Sequence, residues 1–210
     1  MSHLKRATQF LAAVSFAGFL AASAAQAAVI NGNFDVEVPS NGTGGGWTSS
    51  NIDSQGGWRS TGGNPDAFFI LNDAGSGTDP TILQMLTGLT PGAEYHVSGD
   101  FRVVHNAQST TTTQAFGAAI NGVFLFERPG FADFTWRDID FDFTAAASSA
   151  ILSFAAERNG TDVDFGIDNI ALALVSAPPP VDGVVPEPGT AALLVLGLVA
   201  MMRARLRPAK

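Results

Sequence analysis

The sequence predicts an all-β chain whose central region folds as an antiparallel β-sandwich. Short segments alternate apolar and polar residues with a period of two, which is typical of half-buried strands. Glycine is frequent, at 23 of 210 residues, and it separates these segments at predicted turns. No long stretch has the helical period of about 3.6 residues. Strands with one apolar and one polar face favour two antiparallel sheets packed on each other.

The first 27 residues have the layout of a secretory signal peptide. Lys5 and Arg6 precede an apolar segment over residues 10–20, and residues 25–27 (AQA) form a small-x-small cleavage pattern. We expect the mature chain to begin at Ala28. Export of this kind places the protein outside the cytoplasm.

The mature region is strongly acidic and contains no cysteine. Residues 28–184 hold five Arg, no Lys and 18 Asp or Glu, a net charge of −13. Such a domain repels nucleic acid and attracts cations, so nucleic acid is not expected as a partner. The absence of cysteine excludes disulfides and thiol chemistry. His96 and His105, the two histidines of this region, are too few to predict a histidine-based zinc centre.

Strand patterns run along the whole region 28–175, which we expect to be one domain. Alternation predicts a first strand at residues 29–37 and, most clearly, a strand at residues 93–104. Asn121-Gly122 between two apolar runs predicts a type I′ hairpin. Further strands are predicted at residues 133–144 and 163–175.

The end of the chain reads as a linker followed by a membrane-stop pattern. Residues 176–184 include three consecutive prolines and predict a stiff spacer. In residues 185–210 an apolar run, 191–202, is followed by three arginines and a lysine. This pattern predicts a single apolar helix held in the inner membrane with its cations on the cytoplasmic side. A helix over 189–202 reaches only about 21 Å, short of the roughly 30 Å hydrocarbon core, so the anchor is marginal.

The order of Pro186, Glu187 and Pro188, an apolar run and an arginine cluster resembles the PEP-CTERM sorting signal of Gram-negative bacterial surface proteins. The resemblance implies recognition by an exosortase and cleavage near these three residues. It also implies transient anchoring in the inner membrane, then release to the cell surface or the extracellular matrix.

A second resemblance covers residues 29–175. It rests on five features in order: residues 31–35 (NGNFD), Trp47 after a glycine-rich loop, residues 86–92 (LTGLTPG) leading to Tyr95, Trp136 followed by residues 141–145 (FDFTA), and residues 167–170 (IDNI). Together they resemble the jelly-roll carbohydrate-binding modules of the galactose-binding-domain-like superfamily. The resemblance implies a jelly-roll fold and, as a cofactor, a structural Ca²⁺ with Asp35 and Asp168 as carboxylate ligands. The alternative is that both carboxylates only form hydrogen bonds at strand ends.

The resemblance also implies a sugar-binding face, which we place on the polar side of residues 93–104. His96, Asp100 and Arg102 lie on that side, and Trp58 and Arg59 belong to a loop that could border it. Saccharides bind aromatic rings through their C–H faces, and their hydroxyls bind charged or amide groups. Trp47 and Trp136 are assigned structural positions at the ends of the sandwich.

Catalysis is the least favoured reading of these residues. Asp138, Asp140 and Asp142 share one face at a spacing of about 6.6–7 Å, which suits an inverting glycosidase pair. A general acid, however, needs burial, and three aspartates on a polar face indicate a solvated surface. We therefore predict a non-enzymatic, exported protein that binds extracellular polysaccharide. The alternatives are a matrix or surface protein that acts through protein contacts without a sugar site, and a glycan-active hydrolase.

Overall fold

The computed structural model confirms an all-β fold with two antiparallel sheets. It describes residues 27–72, 78–107, 115–131, 133–156 and 162–178, and within these ranges it contains strands and no helix. The strands are β1 (Thr43–Gly44), β2 (Trp47–Ser50), β3 (Gly57–Arg59), β4 (Phe68–Leu71), β5 (Thr81–Thr87), β6 (Glu94–Asn106), β7 (Ala115–Ile120), β8 (Val123–Pro129), β9 (Arg137–Thr144), β10 (Ser149–Ala156) and β11 (Val163–Ser176).

The strands divide into a six-stranded and a five-stranded sheet. Sheet A has the order β1-β2-β5-β10-β7-β8, and sheet B has the order β3-β4-β11-β6-β9. The long strands β6 and β11 pair over nearly their whole length, from Val163 opposite Asn106 to Ser176 opposite Glu94. They form the middle of sheet B.

Aromatic side chains join the two sheets across the core. The ring of Phe116 in sheet A stacks on Phe101 of sheet B at a centroid distance of 4.8 Å and an interplanar angle of 7°. On its other side Phe116 stacks on Phe154 at 6.0 Å and 10°. All three side chains are essentially inaccessible to solvent. Burial of such large apolar surfaces is the main stabilising contribution in a domain without disulfides.

The prediction of a first strand at residues 29–37 is wrong. Asn31 and Phe34 have positive φ angles of 51° and 53°, so the chain cannot extend through them. The Asn31 side chain accepts the N–H of Val36 and donates to its carbonyl, which closes a compact loop. Gly32 lies against β11, where a Cβ would meet the carbonyl oxygen of Ile170 at 1.8 Å. Alternation alone does not reveal such a loop.

The other strand predictions are confirmed, with shifted ends. Asn121 and Gly122 both have positive φ, as a type I′ turn requires, and they join β7 to β8. β6 begins one residue later than the strand predicted at 93–104 and ends two residues beyond it, and β11 matches the prediction at 163–175 to within one residue. β9 begins at Arg137, four residues later than predicted.

The predicted targeting segments lie almost entirely outside the described residues. These segments are residues 1–26, most of the linker, Pro186, Glu187 and Pro188, and the apolar helix. Ala27, which the predicted cleavage would remove, is 5% exposed and belongs to the core. Within the described part of the chain, no helix has the length and apolarity needed to cross a bilayer.

Candidate functional site

The outer side of sheet B carries a row of polar pairs across β6 and β9. Cross-strand register places His96 opposite Asp142, Ser98 opposite Asp140, and Asp100 opposite Asp138. We call this surface the β6–β9 face; it comprises His96, Ser98, Asp100, Arg102, Trp136, Asp138, Asp140 and Asp142. Three of the five predicted sugar-binding residues, His96, Asp100 and Arg102, therefore lie on one surface.

Arg102 is the most constrained side chain of the β6–β9 face. Its guanidinium carbon lies 4.7 Å from the ring centroid of Trp136 and 5.1 Å from that of Phe68. Its Nη2 donates a hydrogen bond of 2.9 Å to the carbonyl of Gly62. Burial lowers the pKa of Arg102 from its ordinary value, although a guanidinium stays charged in water. The arginine is thus a fixed cation between two aromatic rings.

Trp136 extends this cluster toward solvent. Its ring meets the buried ring of Phe68 edge to face, at a centroid distance of 5.9 Å and an angle of 83°. Trp136 is half-buried, whereas Phe68 is buried, so part of the indole remains accessible. Trp136 lies two residues before Asp138, so an unbroken strand would place both side chains on the same face. The structural position assigned to it from the sequence did not include the contact with Arg102.

Asp100 fastens a loop, residues 60–66, to the sheet. Its Oδ2 accepts hydrogen bonds from the side-chain amides of Asn169 at 2.8 Å and Asn64 at 3.2 Å. The backbone N–H of Asn64 donates to Asp168 at 2.6 Å. A Cβ on Gly63 would lie 2.4 Å from the carbonyl oxygen of Ala67, so the loop approaches its own return segment too closely for any side chain. This loop forms one border of the β6–β9 face.

His96 lies at the other end of the face. Its Nδ1 is 2.7 Å from Oδ1 of Asp142, and its side chain is 31% exposed. The pair can accept and donate hydrogen bonds to a hydroxylated ligand, because the second ring nitrogen is not engaged by any described residue.

Trp58 and Arg59 do not lie on the β6–β9 face. Trp58 pairs with Phe69 across β3 and β4, packs against the core, and donates its indole N–H to the carbonyl of Phe34 at 2.7 Å. The Arg59 guanidinium donates to the backbone carbonyls of Gly56 and Trp58, each at 3.0 Å. Both side chains stabilise the segment around β3, and their participation in sugar binding stays a prediction.

Trp47 occupies a structural position, as expected. Its side chain is fully buried, stacks on Phe34 at 5.5 Å, and donates its indole N–H to the carbonyl of Asn31 at 3.0 Å. The tryptophan therefore holds the loop at 31–36 against the core.

The two predicted calcium ligands differ strongly in burial. Asp168 is fully buried, and its two oxygens accept the backbone N–H groups of Asn64 and Asn169. Burial raises the pKa of Asp168, the two hydrogen bonds oppose this, and the charges of Asp100 and Asp35 raise it further. Asp35 is exposed and bonded to the Asn33 amide at 2.5 Å. The charge of Asp35 acts on Asp168, and both side chains offer only oxygen donors, which suits the chemistry of Ca²⁺.

The three aspartates of β9 are exposed. Asp138, Asp140 and Asp142 alternate with the buried residues Ile139 and Phe141, so all three carboxylates face solvent. This surface provides hydrogen-bond acceptors but gives no buried carboxyl that could act as a general acid.

A cavity of about 410 Å³ opens beside the face, between the edge strands β8 and β9. Its lining combines two arginines, one carboxylate and apolar surface: Phe101, Arg128, Pro129, Phe131, Arg137 and Asp138. Arg137 lies 3.8 Å above the ring of Phe131 and pairs with Asp133 at 2.6 Å. Asp138 belongs to both the cavity and the β6–β9 face, so a long ligand could occupy the two together.

Several solved structures are similar to this chain, including one from Bacteroides thetaiotaomicron and one from Paenibacillus barcinonensis. A candidate sugar-binding protein from Bacteroides thetaiotaomicron VPI-5482 is 12% identical, with a TM-score of 0.53, over 70% of this chain and 99% of that one. The CBM22-1 xylan-binding domain of Xyn10C from Paenibacillus barcinonensis is 14% identical, with a TM-score of 0.51, over 73% of this chain and 99% of that one. No protein-family model and no curated protein matches the chain. At these identities the likeness shows the fold alone, and that fold is the jelly roll expected from the sequence.

Proposed function

We propose that this domain binds polysaccharide outside the cell through the β6–β9 face, without catalysis. The observation that carries the proposal is the cluster of Arg102, Trp136 and Phe68 beside the carboxylates of Asp100 and Asp138. A part-exposed indole gives a flat surface for the C–H face of a sugar ring. The surrounding guanidinium and carboxylates give donors and acceptors for its hydroxyls.

The fixed geometry of the cluster supports this function. Arg102 is held by two rings and by the Gly62 carbonyl, so little side-chain freedom is lost when a ligand binds. The names of two structures with a similar fold, a candidate sugar-binding protein and a xylan-binding domain, agree with a carbohydrate ligand. The exposed aspartates of β9 support binding without hydrolysis.

Ca²⁺ is proposed as a structural cofactor at Asp35 and Asp168. The buried Asp168 carboxylate and the loop that carries Asp35 lie together, since the N–H of Ile170 donates to the Gly32 carbonyl at 2.9 Å. A bound cation would supply a positive charge between two repelling carboxylates and would fasten that loop to β11.

Export and sorting complete the proposal. The signal peptide at 1–27 would direct secretion, and an exosortase would cleave near Pro186, Glu187 and Pro188 after transient anchoring in the inner membrane. The mature protein would reach the surface or matrix of a Gram-negative cell. The mass of the protein recovered from culture medium tests both cleavages, and an intact chain of 21.8 kDa there would overturn this part. A new N-terminus upstream of Ala27 would retain that buried alanine.

A second candidate function rests on the outer side of sheet A. Met85 and Ile151 are cross-strand neighbours and are 60% and 37% exposed. Val123, Phe124 and Leu125 on β8 are also exposed. An apolar surface of this kind favours contact with another protein. This apolar surface is consistent with a matrix protein that has the jelly-roll fold but no sugar-binding site and that acts through protein contacts.

A glycan array with the exported protein separates these functions. Saturable binding to at least one neutral or uronic-acid polysaccharide supports the proposal, and binding to none favours the matrix protein. Release of soluble oligosaccharide, abolished by Asp140→Asn, would instead show a hydrolase.

A further inference from the structure

A group of metal-ligating side chains lies at the far end of sheet B, outside the site described above. One coordinating atom from each of His105, Asp162 and Asp164 lies within 4.8 Å of the other two. Nδ1 of His105 is 3.5 Å from Oδ1 of Asp162. Two ligand atoms at about 2.0–2.2 Å from one ion lie at most about 4.4 Å apart when they are opposite each other, and about 3.3–3.6 Å apart in a tetrahedral site. The three atoms are therefore near enough to converge on one ion after their side chains reorient.

The sheet ladder holds these residues in place. Asp164 pairs directly with His105 across β11 and β6, next to a bulge that follows in the same ladder. The backbone N–H of Ala107 donates to the carbonyl of Asp162 at 3.1 Å. The three ligand residues therefore come from two strand ends that the backbone already joins.

Asn72 gives an independent observation at this site. The residue is 4% exposed, and its buried Oδ1 accepts no hydrogen bond from any residue that the structure describes. Leu71 pairs with Phe165, so Asn72 lies beside Asp164, and strand alternation places both on the side away from the core. A buried carbonyl oxygen without a donor is destabilising. A cation at Asp164 would satisfy it.

We propose that His105, Asp162 and Asp164, with Oδ1 of Asn72 as a fourth ligand, bind one divalent transition-metal ion such as Mn²⁺, Ni²⁺ or Zn²⁺. A single imidazole nitrogen among oxygen ligands favours these ions, whereas Ca²⁺ takes oxygen alone. The site therefore differs in chemistry from the pair Asp35 and Asp168. It extends the proposed function, because the ion would tie the end of β6 to the start of β11 whether or not a glycan is bound.

Calorimetric titration of each metal into the exported protein tests the site, after treatment with EDTA and in the presence of excess Ca²⁺. The wild type is expected to bind one ion per chain. His105→Ala and Asp162→Asn, both at exposed side chains, should each weaken binding roughly tenfold or more. The matched control is His96→Ala, which removes the other His–Asp pair on this sheet and should bind the metal as the wild type does.

Cobalt gives a second readout that does not depend on affinity alone. Co²⁺ at this site should show ligand-field absorption that changes with His105→Ala and not with His96→Ala. Circular dichroism of each variant checks that the sheets are intact. Absence of saturable binding by the wild type would overturn the proposal. Wild-type affinity in both site variants, or an equal loss in His96→Ala, would overturn it as well.

Discussion

Arg102 lies over Trp136, with 4.7 Å between the guanidinium carbon and the ring centroid. Arg102 belongs to β6 and Trp136 directly precedes β9, the neighbouring strand of sheet B, while Phe68 supports the arginine from β4. This contact holds the indole in a defined orientation. A tryptophan held in this way is ready to stack on a sugar ring.

Trp136→Ala is expected to weaken glycan binding by about tenfold or more, because a ring contact and a cation–π contact are lost together. Affinity is measured by calorimetry with the best ligand from the array. Trp58→Phe is the matched control: it loses the bond to the Phe34 carbonyl and should reduce stability while leaving affinity unchanged. An affinity loss confined to Trp58→Phe would move the site to β3.

Calcium is expected to raise the melting temperature of EDTA-treated protein. Free Ca²⁺ at 100 times its Kd would stabilise the domain by about 2.7 kcal/mol. Asp35→Asn should remove most of this gain, whereas Asp142→Asn, at the pair with His96, should not. If EDTA and calcium both leave the melting temperature of the wild type unchanged, no structural calcium is bound.

The buried carboxyl of Asp168 predicts a specific pH dependence in metal-free protein. Its pKa is raised above the ordinary value of 3.8, chiefly by burial, so the native state holds the proton more tightly than the unfolded chain. The stability that this provides is complete below the unfolded pKa and is lost as the pH rises through the native pKa. Urea unfolding in EDTA from about pH 3 to about pH 7 should show this fall. Asp168→Asn should lack it, and an identical slope in wild type and variant would contradict the prediction.

Phe116→Ala is expected to destabilise the domain by about 3–5 kcal/mol, since it opens a cavity between two stacked phenylalanines. Val123→Ala, at a side chain that is 62% exposed, should change the unfolding free energy by no more than about 0.5 kcal/mol. Denaturant unfolding measures both. If the two variants lower the free energy of unfolding by similar amounts, the aromatic stack does not make a large contribution to the stability of the core.

The regular strands could be predicted because residues close in sequence determine them, through the alternation of apolar and polar residues and through the residue types at the turns. Burial in β9 alternates through Ile139, Phe141 and Phe143, and the turn at Asn121-Gly122 follows from two residues that tolerate positive φ. The loop at 31–36 could not be predicted in this way. Its shape depends on contacts with β11, such as the bond between Gly32 and Ile170, more than 130 residues away in sequence.

The candidate site was predictable in part for the same reason. Because side chains alternate along a strand, the sequence predicts that His96, Asp100 and Arg102 lie on one side of β6, and the structure brings them together. Alternation along β6 gives no information about the partners of Arg102. These are the ring of Phe68 on β4 and the carbonyl of Gly62 in the loop at 60–66. The sequence also does not predict that Asn72 lies beside Asp164, because this depends on the register of β4 against β11.

The long pairing of β11 with β6, which three register shifts interrupt, also governs how the domain responds to mechanical load. Antiparallel hydrogen bonds run perpendicular to the strands, so a force applied along β11 from Ser176 strains many of them at once. β11 is also flanked by β4 on its other side over Phe165 to Ile167. A molecule tethered at that end would resist extension by shear and would not peel apart one bond at a time.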